Sequence, residues 1–184
     1  MIEVKISGRG GQGAVLASQV LATVFFEKGF YVQSFPSFGA ERRGAPVSAF
    51  LRVDSKEITL RYSIQSPDWI VLFDANLLKN PMVMAGITGK TFLLVNTGLP
   101  RGLDVGECNG VYGVDATSIA EELKLRTTSF SMVNTAMVGA FAKASGLLDL
   151  ESIVRVIGDM VPAKRESNMA AARRAFERVK EVSR

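Results

Sequence analysis

The 184-residue chain has no histidine and a single cysteine, Cys108. Without imidazole, a Ser-His-Asp triad, a histidine general base and a zinc site built on histidine are all excluded within the chain. One cysteine cannot close an internal disulfide or carry a four-cysteine iron–sulfur cluster alone. Six prolines and 17 glycines are too few for a fibrous or low-complexity chain. Long hydrophobic runs are also missing: the most apolar helix candidate, residues 14–26, is shorter than the ~20 residues that a membrane span requires. The start, Met1-Ile2-Glu3-Val4-Lys5-Ile6, lacks the basic stretch, apolar run and small-residue cleavage site of a secretory signal. These absences lead to the expectation of a cytoplasmic protein with no membrane contact.

What is present is ordinary for a globular domain. Hydrophobic residues make up 47% and charged residues 22%, which excludes a disordered chain. At this length a single domain, residues 1–184, buries about 70% of its unfolded surface. The net charge of +4 is carried entirely by residues 164–184, where seven basic residues face three acids. Acids interleave with Arg173, Arg174, Arg178 and Lys180, so the expectation is a solvated helix face and no nucleic-acid contact.

Residues 3–7 alternate as a strand and lead into Gly8-Arg9-Gly10-Gly11-Gln12-Gly13. Residues 14–28 carry no charge before Glu27 and read as a helix buried on more than one side. Residues 30–35 read as a second strand. An 11-residue connection, residues 36–46, follows, with three charges at Glu41, Arg42 and Arg43; a loop this long in a compact domain is commonly functional. Residues 47–53 and 57–63 look like a β-hairpin turned at Asp54-Ser55-Lys56. Residues 69–73 and 91–95 are continuous apolar runs, as in strands covered on both faces. A short strand at 111–114 precedes a helix at 118–123.

The last third is helical. Residues 132–144 are free of charge until Lys143, with Gly146 as the stop. Asp149 caps a helix over 150–160 that ends before Pro162. A final helix over 165–182 places Met169, Ala172, Phe176 and Val179 on one stripe. The fold class is α/β: three layers, a mixed and mostly parallel sheet, a β-hairpin insertion and a helical C-terminal third.

Strand, Gly8-x-Gly10-x-x-Gly13, helix is the setting of a nucleotide fingerprint, with glycines for a sharp turn and a helix N-terminus for an anion. A dinucleotide site also needs an acid about 20 residues on, at the end of the second strand. Gln33, Ser34 and Phe35 stand there instead. A turn that packs helix against sheet and a loop that meets another phosphate-bearing ligand both stay open, and a stand-alone nucleotide-binding α/β enzyme is the alternative reading. Arg9 inside the turn invites an anion or a carboxylate. In the longer loop, Glu41, Arg42 and Arg43 lie between Gly39 and Gly44; two adjacent guanidinium groups suit a carboxylate or phosphate, and an internal Glu–Arg pair on a surface loop fits equally.

Taken together, the glycine turn and Phe35-Pro36-x-Phe38-Gly39-x-Glu41-Arg42-Arg43-Gly44-Ala45-Pro46 resemble the gamma subunit of 2-oxoacid:ferredoxin oxidoreductases. The resemblance continues through Ser66-Pro67-Asp68, Val95-Asn96-Thr97, Val114-Asp115-Ala116-Thr117 and Val133-Asn134-Thr135 to Asn168 and Phe176, over essentially the whole chain and in order. It is nearer the pyruvate branch than the 2-oxoglutarate branch. It implies a multi-subunit enzyme that decarboxylates a 2-oxoacid on thiamine diphosphate, passes electrons through iron–sulfur clusters to ferredoxin, and transfers the acyl group to coenzyme A. Thiamine diphosphate, magnesium and clusters are then expected on alpha, beta and ferredoxin-like delta partners, and none on this chain, which would be inactive alone. The resemblance also places Gly8, Arg9, Gly10, Gly11, Gln12, Gly13, Phe38, Gly39, Glu41, Arg42, Arg43 and Gly44 at the subunit interface or on the coenzyme A side of the site. No catalytic or metal-binding residue is expected. Both loops are expected at one edge of the sheet, following two strands that point the same way.

Overall fold

The computed structural model describes residues 1–37, 46–98, 103, 105–128 and 130–182. Strand β1 (Ile2–Arg9) runs into helix α1 (Ala14–Glu27), which returns to β2 (Tyr31–Pro36) and β3 (Pro46–Asp54). Strands β4 (Trp69–Leu72), β5 (Phe92–Asn96) and β6 (Gly110–Val114) follow, with a 3₁₀ turn (Ala75–Lys79) and the short α2 (Pro81–Met84) between β4 and β5. Helices α3 (Ala116–Glu122), α4 (Asn134–Ser145), α5 (Leu150–Met160) and α6 (Arg165–Arg178) lead to the two-residue β7 (Lys180–Glu181). The sheet order is β2-β3-β1-β4-β5-β6-β7. Strands β1, β4, β5 and β6 form a parallel core, while β3 and β7 run against their neighbours.

The α/β class and the mixed sheet are as read from the sequence, but the hairpin is not. Strand β3 is paired antiparallel to β1 on one side and to β2 on the other, from Arg9↔Pro46 to Val32↔Val53. Both hydrogen-bonding edges of β3 are therefore taken, so residues 57–63 cannot pair with it as the second strand of a hairpin. They lie across the sheet instead, where the Gln33 side-chain amide donates to the Ile58 and Leu60 carbonyls, each at 3.1 Å.

One face of the sheet packs on α1 and α3–α6, through Val4, Ile6, Leu51 and Val71 against Leu21, Phe25, Met137 and Phe141. Trp69 stacks on Phe92 at 4.9 Å and meets Phe141 edge-on at 5.3 Å, fastening α4 to the start of β4. A smaller apolar cluster on the other face joins Ile70, Leu72, Leu93 and Val95 to Leu77 and Val83. At the β1–β3 end that second face is polar: Lys5, Ser7 and Arg52 are all buried there. Ser7 and Ser48 hydroxyls share a hydrogen bond of 2.7 Å, and Lys5 donates to the Met82 carbonyl at 2.9 Å.

Helix α4 is buried continuously from Asn134 to Ala142, as its lack of charge predicts. It crosses α6 at Gly139, where an added Cβ would lie 2.1 Å from the Ala172 carbonyl oxygen. That contact turns α6 so that Asn168, Ala171, Ala172 and Ala175 face inward, with Met169 and Phe176 at the flanks and not at the centre of the stripe. The final helix also ends earlier than its composition suggests. After Arg178 the chain extends as β7 and covers the outer edge of β6, where Val182 N donates to Val111 O at 2.8 Å. Helix α1 departs from expectation on one stripe: Gln19 and Phe26 are exposed, Phe26 by 67%. No helix among the described residues is long and apolar enough to cross a membrane.

Candidate functional site

Parallel strands deliver their following loops to one sheet edge, and that edge is where the sequence motifs converge. The turn after β1 is tied to itself. Gln12 N donates to Arg9 O at 3.0 Å, and the Gln12 side-chain carbonyl accepts from Arg9 N at 2.7 Å. Gly11 and Gly13 have φ of 93° and 84°, the left-handed region that an L side chain rarely adopts. A side chain would also have to displace its neighbours: a Cβ at Gly11 would stand 2.4 Å from the Phe130 ring, and one at Gly13 would stand 2.5 Å from Asn134 Nδ2. The glycine turn thus packs against the 130–134 segment that opens α4. Gly13 caps α1 without any side-chain hydrogen bond.

Arg9 finds its carboxylate inside the chain. Its Nε lies 2.5 Å from Asp74 Oδ2 at the end of β4. Asp74 also accepts from Asn76 N at 2.9 Å and so caps the 3₁₀ turn. Asp115, at the end of β6, accepts from Ser118 N and Oγ and caps α3. Both strand-end aspartates are therefore committed to structure.

Asn96, at the end of β5, is the joint between them. Its Nδ2 donates to Phe73 O and to Thr117 Oγ1, each at 2.9 Å, and its Oδ1 accepts from the Ala116 and Thr117 amides. Asn168 plays a similar part below: it accepts from Thr135 Oγ1 at 2.9 Å and donates to the Ala163 and Lys164 carbonyls. These motif residues hold elements in place.

The second loop, with Phe38, Gly39, Glu41, Arg42, Arg43 and Gly44, lies outside the described residues. Its flanks do not. Pro46 is in register with Arg9, Val47 with Gly8, and Ser37 N donates to Ser48 O at 2.7 Å. The ends of that loop therefore stand at the edge that carries the glycine turn. Strands β1 and β2 point the same way, as expected, but they are not neighbours, because β3 lies between them. The same insertion removes the geometry of a dinucleotide site, in which the second strand lies beside the first and its end faces the ribose.

The basic C-terminal helix spends its charge locally. Arg173 pairs with Glu151 at 2.5 Å, and Arg174 and Arg178 pair with Glu122 at 2.7 and 3.1 Å. The Arg178 hydrogen bond holds the Glu122 carboxyl below its ordinary range, and Arg173 does the same for Glu151. Sequence reasoning missed Arg52, a charged residue in an alternating strand that reads as solvent-facing; its side chain is fully buried.

The geometry defines an α/β domain whose strand ends are locked by the Asn96 amide and the Arg9–Asp74 ion pair, with the glycine turn at that same edge. The chain belongs to the pyruvate ferredoxin/flavodoxin oxidoreductase family, whose model matches residues 3–178. It is 45% identical over 177 residues to the pyruvate synthase subunit PorC of Methanocaldococcus jannaschii, with 96% of each chain covered. It is 43% identical over 183 residues to the common subunit gamma of the pyruvate/ketoisovalerate oxidoreductases of Pyrococcus abyssi, with 97% of each covered. Its structure is similar to that of pyruvate oxidoreductase subunit PORC from Thermotoga maritima, with a TM-score of 0.82 and 35% identity over 99% of this chain and 98% of that one.

Proposed function

We propose that the chain serves as the gamma-type subunit of a 2-oxoacid:ferredoxin oxidoreductase acting on pyruvate, and that its glycine edge helps form the coenzyme A side of the assembled site. The observation that carries this is the end-to-end match to relatives of the same length that are themselves named as such subunits. The residue inventory fits a supporting role. Thiamine diphosphate with its metal and the iron–sulfur clusters belong, in this reading, to alpha, beta and ferredoxin-like partners. The absence of histidine and the single cysteine, Cys108, support that reading: a four-cysteine cluster cannot be built from this chain alone. A gamma chain shared between a pyruvate and a ketoisovalerate enzyme, as the Pyrococcus abyssi name states, fits selection of the 2-oxoacid on other subunits.

In the proposed assembly Gly8 to Gly13 bring backbone N–H groups near the partner, Arg9 and Asp74 fix the turn, and Arg42 and Arg43 supply cations for an acidic partner or a coenzyme A phosphate. The test is reconstitution with the partner subunits. The chain alone is expected to show no pyruvate-dependent dye reduction, and the assembled enzyme is expected to show it. Arg42→Ala with Arg43→Ala is expected to leave the fold intact and to weaken assembly or raise KM for coenzyme A. Normal assembly with unchanged kinetics for both pyruvate and coenzyme A would remove the loop from the proposal. Activity of the isolated chain would remove the subunit reading itself.

A further inference from the structure

The second face of the sheet holds a charged group that the glycine edge does not use. Arg52 projects from β3, and its side chain is 0% exposed. Its Nε donates to Glu3 Oε1 at 2.7 Å. Its two terminal nitrogens, Nη1 and Nη2, are buried and have no hydrogen-bond partner among the described residues. The guanidinium carbon lies over the Phe35 ring at 5.7 Å from its centroid and over the Tyr62 ring at 5.2 Å. Four N–H donors of a permanent cation are thus walled in by aromatic rings and lack an acceptor, against the general rule that buried polar groups are paired.

The same side chain lines a cavity of about 450 Å³, together with Gln33, Phe35, Leu60 and Arg61. The roof is the 57–63 segment, pinned by the Gln33 amide to the Ile58 and Leu60 carbonyls. Tyr62, 59% exposed, belongs to the same segment and sets its ring against the guanidinium.

Charge and shape select the ligand. The terminal nitrogens of an arginine present a planar fork that matches the paired oxygens of a carboxylate or phosphate. The charged residues that line the cavity, Arg52 and Arg61, are both cationic, which suits an anion. Aromatic walls and Leu60 suit a planar acid with an apolar body over a hydrated dianion. We propose that this cavity is a carboxylate-binding site in which Nη1 and Nη2 of Arg52 donate to the two carboxylate oxygens and Arg61 adds charge at the rim. The carboxylate is that of a free small acid or of an Asp or Glu side chain on a partner subunit; the chemistry is the same. The site is separate from the glycine edge, and the proposal does not depend on the subunit reading.

The test uses the full chain labelled with ¹⁵N, titrated with acetate and separately with inorganic phosphate, with chloride holding the ionic strength constant. Acetate is expected to shift the Arg52 Nε–H signal and the backbone amides of Gln33, Phe35 and Arg61 saturably, while those of Gly10 and Gly11 stay still. Arg61→Glu, a change at an exposed position, is expected to weaken acetate binding at least tenfold without altering the fold. Arg52→Lys keeps the charge but removes the fork, and is expected to abolish saturation. Adding partner subunits then separates the sources: acetate that weakens assembly points to a partner's carboxylate, and acetate without effect on assembly points to a free acid. No saturable shift with acetate, equal binding by Arg61→Glu, or tighter binding of phosphate than of acetate would overturn the assignment.

Discussion

Replacing Gly139 by alanine tests the account of the α4–α6 crossing. The new Cβ would lie 2.1 Å from Ala172 O and 2.7 Å from Ala172 Cα. Non-bonded atoms rest at roughly 3.5 Å, so the helices must part by about 1 Å. Neither offending atom belongs to a flexible side chain that could swing away. Overpacking of this kind costs about 1–3 kcal/mol. Parting the helices also stretches the buried Thr135–Asn168 hydrogen bond, now 2.9 Å, which adds about 1 kcal/mol. Alanine's better helix propensity returns about 1 kcal/mol. The expected net loss is about 2 kcal/mol, a fall in Tm of roughly 4–8 °C for a domain of this size. The matched control is Gly158→Ala in α5, whose Cβ would meet Met169 Sδ at 3.2 Å. A thioether end moves easily, so the propensity gain should prevail and the variant should be slightly more stable than wild type. Urea denaturation of both purified variants, read at constant m-value, measures the difference. A Gly139→Ala chain as stable as wild type, or two variants that shift in the same direction, would refute the reasoning.

Three further outcomes follow from the hydrogen bonds and charges. Asn96→Ala leaves the Phe73 carbonyl and the Ala116 and Thr117 amides without their partner, and should cost about 2–4 kcal/mol in urea denaturation. Asp149, Glu151, Glu122 and Glu27 are all held below their ordinary values of 3.8 or 4.5, chiefly by hydrogen bonds from Lys28, Arg173, Arg178 and Arg155 respectively. The fold therefore binds fewer protons than the unfolded chain as acid is added, so stability is full above those ordinary values and falls below them. A urea midpoint no lower at about pH 3 than at about pH 6 would contradict this. Arg174→Ala and Arg178→Ala remove exposed pairs to Glu122, and each should leave the urea midpoint close to that of wild type, closer still in about 0.5 M salt.

Much of the fold is written locally in the sequence. The apolar runs of β4 and β5, the charge-free α4 and the Asp149 cap of α5 needed only periodicity and capping rules, and the cap is in place: Asp149 accepts from Ser152 N at 2.8 Å. The glycine turn was legible as a sharp turn, though not that Phe130 and Asn134 are what press against it. What local pattern could not supply was partner choice. Residues 57–63 alternate like a strand, yet β3 had already given both its edges to β1 and β2, segments with which it shares no turn rule. Arg52 was hidden for a related reason. Its place among Phe50, Leu51 and Val53 reads as an outward-facing charge, and only pairing with Glu3, 49 residues away, makes it a buried one. The pair of Arg9 with Asp74 was likewise invisible, because strand order decides it. Lys180 and Glu181 were read as helix because a two-residue strand has no periodicity to detect.

The chain's one tryptophan has a use in the laboratory. Trp69 is 6% exposed and sits among Phe92, Tyr112 and Phe141 at the first residue of β4, the end of the strand away from the glycine turn. Its emission should be blue-shifted in the native chain and red-shifted on unfolding. Events at the glycine edge take place at the far end of the same strand and should leave it dark to them. Fluorescence from this single ring therefore offers an internal optical standard: in a binding or assembly titration it counts how much of the chain is folded, while a second probe placed at the edge counts what has bound.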